Sequence, residues 1–132
     1  MTSKHKQSYK PKPTIKARRD YHGPAFLSGA FRPFFLAASV WAAVAVAIWL
    51  AAYFGWGDGF ASAYHADWHT HEMIFGFAGA AICGFILTAI PNWTGRLPVR
   101  GWPLAGLVAL WLLGRLAMLS GVSAVMWLDV AF

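Results

Sequence analysis

From Phe34 to Phe54 the chain runs 21 residues without a charged side chain, and from Met73 to Ile90 another 18. A third apolar run, Pro103 to Trp127, is broken only by Arg115. At about 1.5 Å per residue the first run makes a helix roughly 30 Å long, the thickness of a bilayer's hydrocarbon core. Pro33 suits a first helical turn, where its missing N–H is no loss, and Gly55 and Gly57 mark the exit. The second run is short for a span, so its helix is expected to begin earlier, near Trp68, and to close at Pro91. The pattern predicts an all-α fold, a polytopic integral membrane helix bundle with about three transmembrane helices over residues 34–54, 70–90 and 103–127. Gly76, Ala80 and Gly84 repeat at four-residue spacing, a stripe of small residues that lets a neighbouring helix come close.

Polar residues crowd at the start. Eight of the eleven Lys and Arg precede Phe34, so the net charge of +6 describes the first thirty-odd positions rather than a basic surface. Residues 1–32 are read as a basic, largely disordered arm, because Lys10-Pro11-Lys12-Pro13 cannot continue a helix and no hydrophobic period is present. The arm has little aromatic content and abuts an apolar span. Its expected partner is anionic membrane lipid, not nucleic acid. A cleaved signal peptide does not fit: the basic region and the apolar run are both too long. The single Cys83 excludes a disulfide framework and, within an apolar run, reads as a buried, inert thiol.

Loop charges set the orientation. The arm holds eight basic residues and one acid, Asp20; the first loop holds Asp58, Asp67 and Glu72 and no Lys or Arg; the second holds Arg96 and Arg100 and no acid. The amino terminus is therefore expected in the cytoplasm and the first loop outside. Trp56, Trp68, Trp93, Trp102 and Trp127 fall near the expected span ends, where indoles favour the interface.

Candidate chemistry concentrates at the mouth of the second span, in Tyr64-His65-Ala66-Asp67-Trp68-His69-Thr70-His71-Glu72-Met73. On a regular helix His69 lies about 40° from His65 and Glu72 about 20° on the other side, while His71 lies about 120° away. One metal cannot easily take His69 and His71 together from such a helix. Each imidazole can instead serve a separate centre, with copper, iron or zinc as the metal or haem iron as the axial partner. Glu72 could orient a ligating His69. His65, His69 and His71 are thus candidate metal ligands; the competing reading is a set of interfacial histidines exposed to water. Arg115 is the other anomaly, twelve positions after Pro103 and twelve before Trp127. Facing lipid it would cost about 2.5–3.5 kcal/mol on insertion scales, so it needs a carboxylate, a haem propionate or helix-end carbonyls. If the helix instead ends near Ser120-Gly121, Arg115 can snorkel to the interface.

Five short motifs in one order give a resemblance. Gly29-Ala30-Phe31-Arg32-Pro33-Phe34-Phe35, Trp68 to Phe77, Pro91-Asn92-Trp93-Thr94-Gly95-Arg96, Gly101-Trp102-Pro103-Leu104 and Leu113-Gly114-Arg115 resemble the NnrS family. These are bacterial haem- and copper-containing inner-membrane proteins linked to nitric oxide, nitrosative stress and denitrification. The resemblance implies that this chain binds haem and copper, with His69, His71, Glu72 and Arg115 in the cofactor region. It also implies about twelve spans in the family, so the chain is read as a truncated amino-terminal fragment that packs against other membrane helices or subunits. Two other functions compete: a transporter segment with Arg115 and Glu72 lining a path for an anion or proton, and a structural subunit docking through its Gly76/Ala80/Gly84 face. No catalytic turnover is assigned.

The orientation is directly testable. A cysteine placed at Asp58 should react with an impermeant thiol reagent from the outside, and one at Lys10 should not. Reversed labelling would invert the topology.

Overall fold

The computed structural model describes residues 21–56 and 66–120. His65, Asp58, Gly57, Trp127 and the arm up to Asp20 lie outside the described residues. Three helices are long and apolar enough to cross a membrane: α1 (Phe31–Tyr53), α2 (Ala66–Thr94) and α3 (Trp102–Ser120). Among the described residues there is no strand. The three-helix, all-α expectation holds.

Helix ends differ from the sequence reading in instructive ways. A short 3-10 turn at Ala25–Leu27 precedes α1, which opens at Phe31 rather than Phe34. Pro33 then falls in the first turn, where backbone N–H groups have no intrahelical partner in any case. Phe54 caps the helix and Gly55 takes φ 71°, a left-handed turn open to glycine. Pro91 does not close α2. The helix continues through it to Thr94 and stops at Gly95, also at φ 71°. Proline withholds only the N–H that would bond the Leu87 carbonyl, and one lost bond does not end an apolar helix packed on its neighbour. Thr88 and Thr94 turn their hydroxyls onto the Gly84 and Ile90 carbonyls at 2.8 Å, hiding polar groups from lipid.

Contacts along the helices show how they run. Trp49 of α1 meets His69, Trp41 meets Glu72, and Phe34 and Phe35 crowd Gly84. Trp111 reaches Gly76 and Arg115 reaches Glu72. Helices α1 and α3 are therefore each antiparallel to α2, an up-down-up arrangement. The turn before α1 joins the second loop through the Gly101 N–H to the Leu27 carbonyl at 3.0 Å, and Arg100 lies over the Tyr21 ring. Leu27 and Ala30 thus pack against the bundle, while residues 22–26 are exposed.

The core holds Phe34, Leu104 and Trp111 between the small residues Ala38, Ala45 and Ala80. The small-residue stripe works as expected: an added Cβ at Gly76 would stand 2.5 Å from Trp41 Nε1, and one at Gly84 2.9 Å from Phe34 Cβ. Outward-facing Leu36, Val40, Ile82, Phe85 and Leu116 are exposed, as a lipid solvent requires. Trp56, Trp93 and Trp102 are exposed near the helix ends, but Trp68 is buried, so it serves the core and not the interface. Cys83 is half-buried.

Packing gives a clean comparison. Gly84→Leu should cost about 1–3 kcal/mol of helix association through overpacking. Gly106→Leu, where nothing lies within 4 Å of a new Cβ, should cost none. Equal losses for the two variants in a detergent unfolding assay would contradict the α1–α2 contact.

Candidate functional site

Helix α2 changes character at Glu72. Ala66–His71 is α-helical, Glu72–Ala78 is π-helical with i→i+5 bonding, and Gly79–Thr94 is α-helical again. Such π segments are rare and occur often at functional sites. This one begins at the buried carboxylate and contains Gly76, whose missing side chain leaves room for the Trp41 indole.

Glu72 is fully buried and so is Arg115, at 0% and 1% exposure. Glu72 Oε2 accepts from Trp41 Nε1 at 2.7 Å and from Arg115 Nη1 at 3.0 Å. Its other oxygen, Oε1, stands 3.2 Å from His71 Nδ1. One carboxylate thereby joins α1, α3 and its own helix. Trp111, one turn before Arg115, donates Nε1–H to the Gly76 carbonyl at 3.1 Å and meets Trp41 edge-on, centroids 6.1 Å apart. Arg115 also sits 6.0 Å from the Trp111 ring centroid. Of the partners open to Arg115, a carboxylate is the one observed; it does not snorkel.

The histidines go to different surroundings. His69 stacks on Trp49, with centroids 4.6 Å apart and planes at 21°, and its Nδ1 is buried with no hydrogen-bond partner among the described residues. His71 is 27% exposed, lies against Phe75 at 4.7 Å and meets Glu72. The histidine that Glu72 meets is His71, not His69. The Nδ1–H tautomer of His71 would donate to Glu72 Oε1 across this contact. Among the described residues no group of three His, Cys, Asp or Glu could hold a metal ion between them. The donor set present is two separate imidazoles, which suits single-imidazole attachment such as an axial haem ligand and does not suit a closed protein cage.

Trp41, Trp49 and Trp111 escaped the sequence reading. The available signal was depth: a tryptophan in mid-span has an N–H that lipid cannot satisfy, so it needs an acceptor nearby. Trp41 stands at the centre of α1, and Glu72 is the acceptor it meets.

Residues 25–132 match the family described as NnrS protein. No curated protein and no solved structure matches the chain.

The network predicts strong coupling. Arg115→Leu alone should destabilise the bundle by about 3–5 kcal/mol, since it strips a buried carboxylate of its cation. Adding Glu72→Leu should recover most of that loss. A double variant as unstable as the sum of the two singles would show that the pair is not coupled.

Proposed function

The chain belongs to the NnrS family, and on that premise we propose that it acts in the nitric-oxide response as a haem- and copper-binding membrane protein. The observation that carries the reading is His71 held at Nδ1 by a buried carboxylate, with His69 beside it keeping a buried nitrogen that has no partner among the described residues. Ligating histidines characteristically donate their other ring N–H to a carboxylate, which fixes the tautomer and raises ligand basicity. His71 would hold haem iron or copper through Nε2, and His69 would serve a second centre. The iron would supply a site for binding nitric oxide. Copper needs further donors, from outside the described residues or from other helices. Arg115 serves here as the ion-pair partner of Glu72, and Glu72 as the group that aims His71.

This packing favours a cofactor site over a transport path, because Glu72 and Arg115 are sealed against each other and against two indoles. The inner membrane, with the amino terminus in the cytoplasm, belongs to the same proposal. Its support is the clustering of Arg32, Arg96 and Arg100 at the end of the bundle away from the histidines.

Metal analysis and haem absorbance of the detergent-purified protein test the reading. His71→Ala and His69→Ala should each lower bound haem or copper while leaving membrane insertion intact, since neither residue lies in the apolar run that drives insertion. Glu72→Gln should weaken binding about ten- to a hundredfold. Full cofactor content in the double His69→Ala, His71→Ala variant would overturn the proposal.

A further inference from the structure

A carboxylate offers about four lone-pair sites, two on each oxygen. On Glu72 they are divided unevenly. Oε2 accepts from Trp41 Nε1 at 2.7 Å and from Arg115 Nη1 at 3.0 Å, while Oε1 stands 3.2 Å from His71 Nδ1. The indole and the guanidinium meet on one oxygen, and the imidazole meets the other. Arginine alone does not favour that division. A guanidinium and a carboxylate pair best fork to fork, in two parallel N–H···O bonds that occupy both oxygens. The last torsion of a glutamate is broad and resists such a closure little. Closing the fork would turn the carboxylate and draw Oε1 away from His71. The bond from Trp41, the shortest of the three contacts, anchors Oε2 against that turn.

The indole has a seat that only glycine leaves open. A Cβ added at Gly76 would stand 2.5 Å from Trp41 Nε1, 2.6 Å from its Cδ1 and 3.0 Å from Glu72 Oε2. Trp41 is itself buried, so its rigid ring has little room to step aside. Trp111 closes the seat from α3, edge-on to Trp41 at 6.1 Å and bonded to the Gly76 carbonyl at 3.1 Å. The N–H of Trp41 is thereby aimed at one carboxylate oxygen by packing from both neighbouring helices.

We propose that Trp41 is a positioning residue of the His71 site: its N–H, seated at Gly76, fixes Glu72 Oε2 and so reserves Oε1 for His71. The inference rests on the cofactor reading of His71, but its main test uses metal-free protein, so the two can fail separately.

Nitrogen-15 spectra of the full chain, labelled at histidine and tryptophan and free of metal, test it. In the wild type the His71 Nδ1 and Trp41 indole resonances should both move on Glu72→Gln. Trp41→Phe keeps an aromatic ring and removes the N–H, and should move His71 Nδ1 toward its Glu72→Gln position. Gly76→Ala keeps the indole but fills its seat, and should shift both resonances. Trp111→Phe removes a buried indole from the same cluster, one whose N–H goes to the Gly76 carbonyl, and should leave His71 near its wild-type position. Adding Arg115→Lys to Trp41→Phe should return His71 toward the wild type, because a lysine is a point charge that cannot hold both oxygens in a fork. With haem or copper added, Trp41→Phe should weaken binding about tenfold, the low end for loss of a group behind a ligand. An unmoved His71 in both Trp41→Phe and Gly76→Ala would overturn the proposal. So would equal movement in Trp41→Phe and Trp111→Phe, which would reduce the effect to lost packing, or a moved His71 with unchanged cofactor affinity. A wild type that binds no cofactor would overturn the cofactor reading instead, with the His71 spectra still deciding what Trp41 does.

Discussion

A carboxylate buried inside a bundle of membrane helices has only the surrounding protein to replace its water, and in this chain that replacement decides how three helices meet. Moving such an ion from water to a medium of low dielectric costs of order 20 kcal/mol in the idealised limit, and several after relaxation. Glu72 meets the cost with two donors on one oxygen and an imidazole on the other. Each donor comes from a different segment, so no two helices can slide without exposing a charge. Apolar packing alone would not fix the register so firmly, because lipid offers the same side chains an equally apolar home.

The same constraint accounts for the local geometry of α2. Trp41 can reach Glu72 because Gly76 leaves its ring a place to lie, and the Gly76 carbonyl is in turn taken by Trp111. The π segment begins at Glu72 and spans these contacts. Its wider turn carries the carboxylate to the interior while His71, one residue earlier, stays near the surface with its Nδ1 still within reach. Buried charge and half-exposed imidazole are thus neighbours in sequence with opposite surroundings. Under the proposed cofactor role, His71 would face the ligand while Glu72 anchors it from behind.

Much of the fold was legible because hydropathy is a local property. Uncharged runs located the three spans, the spacing of Gly76, Ala80 and Gly84 marked the contact face, and Arg115 stood out as either a partnered interior charge or one that snorkels. What escaped depended on tertiary context. Pro91 reads as a helix stop, yet packing carries the helix past it to Gly95. Trp68 reads as an interfacial indole but belongs to the core. A count of about 100° per residue put Glu72 and His69 on one face, and both do meet α1, through Trp41 and Trp49; what it missed is the contact of Glu72 with its neighbour His71. The pairing of Glu72 with Arg115 joins residues 43 apart in sequence, and no local pattern links them.

In the proposed site Glu72 fixes the His71 ring through Nδ1, and a metal would bind at Nε2. Nitrogen-15 NMR of histidine-labelled protein in lipid bilayers reads this directly. The account predicts that His71 carries its proton on Nδ1, hydrogen-bonded to the carboxylate, and that haem or copper perturbs the Nε2 resonance alone. An Nε2-protonated His71 in the metal-free protein, unchanged by Glu72→Gln, would contradict it.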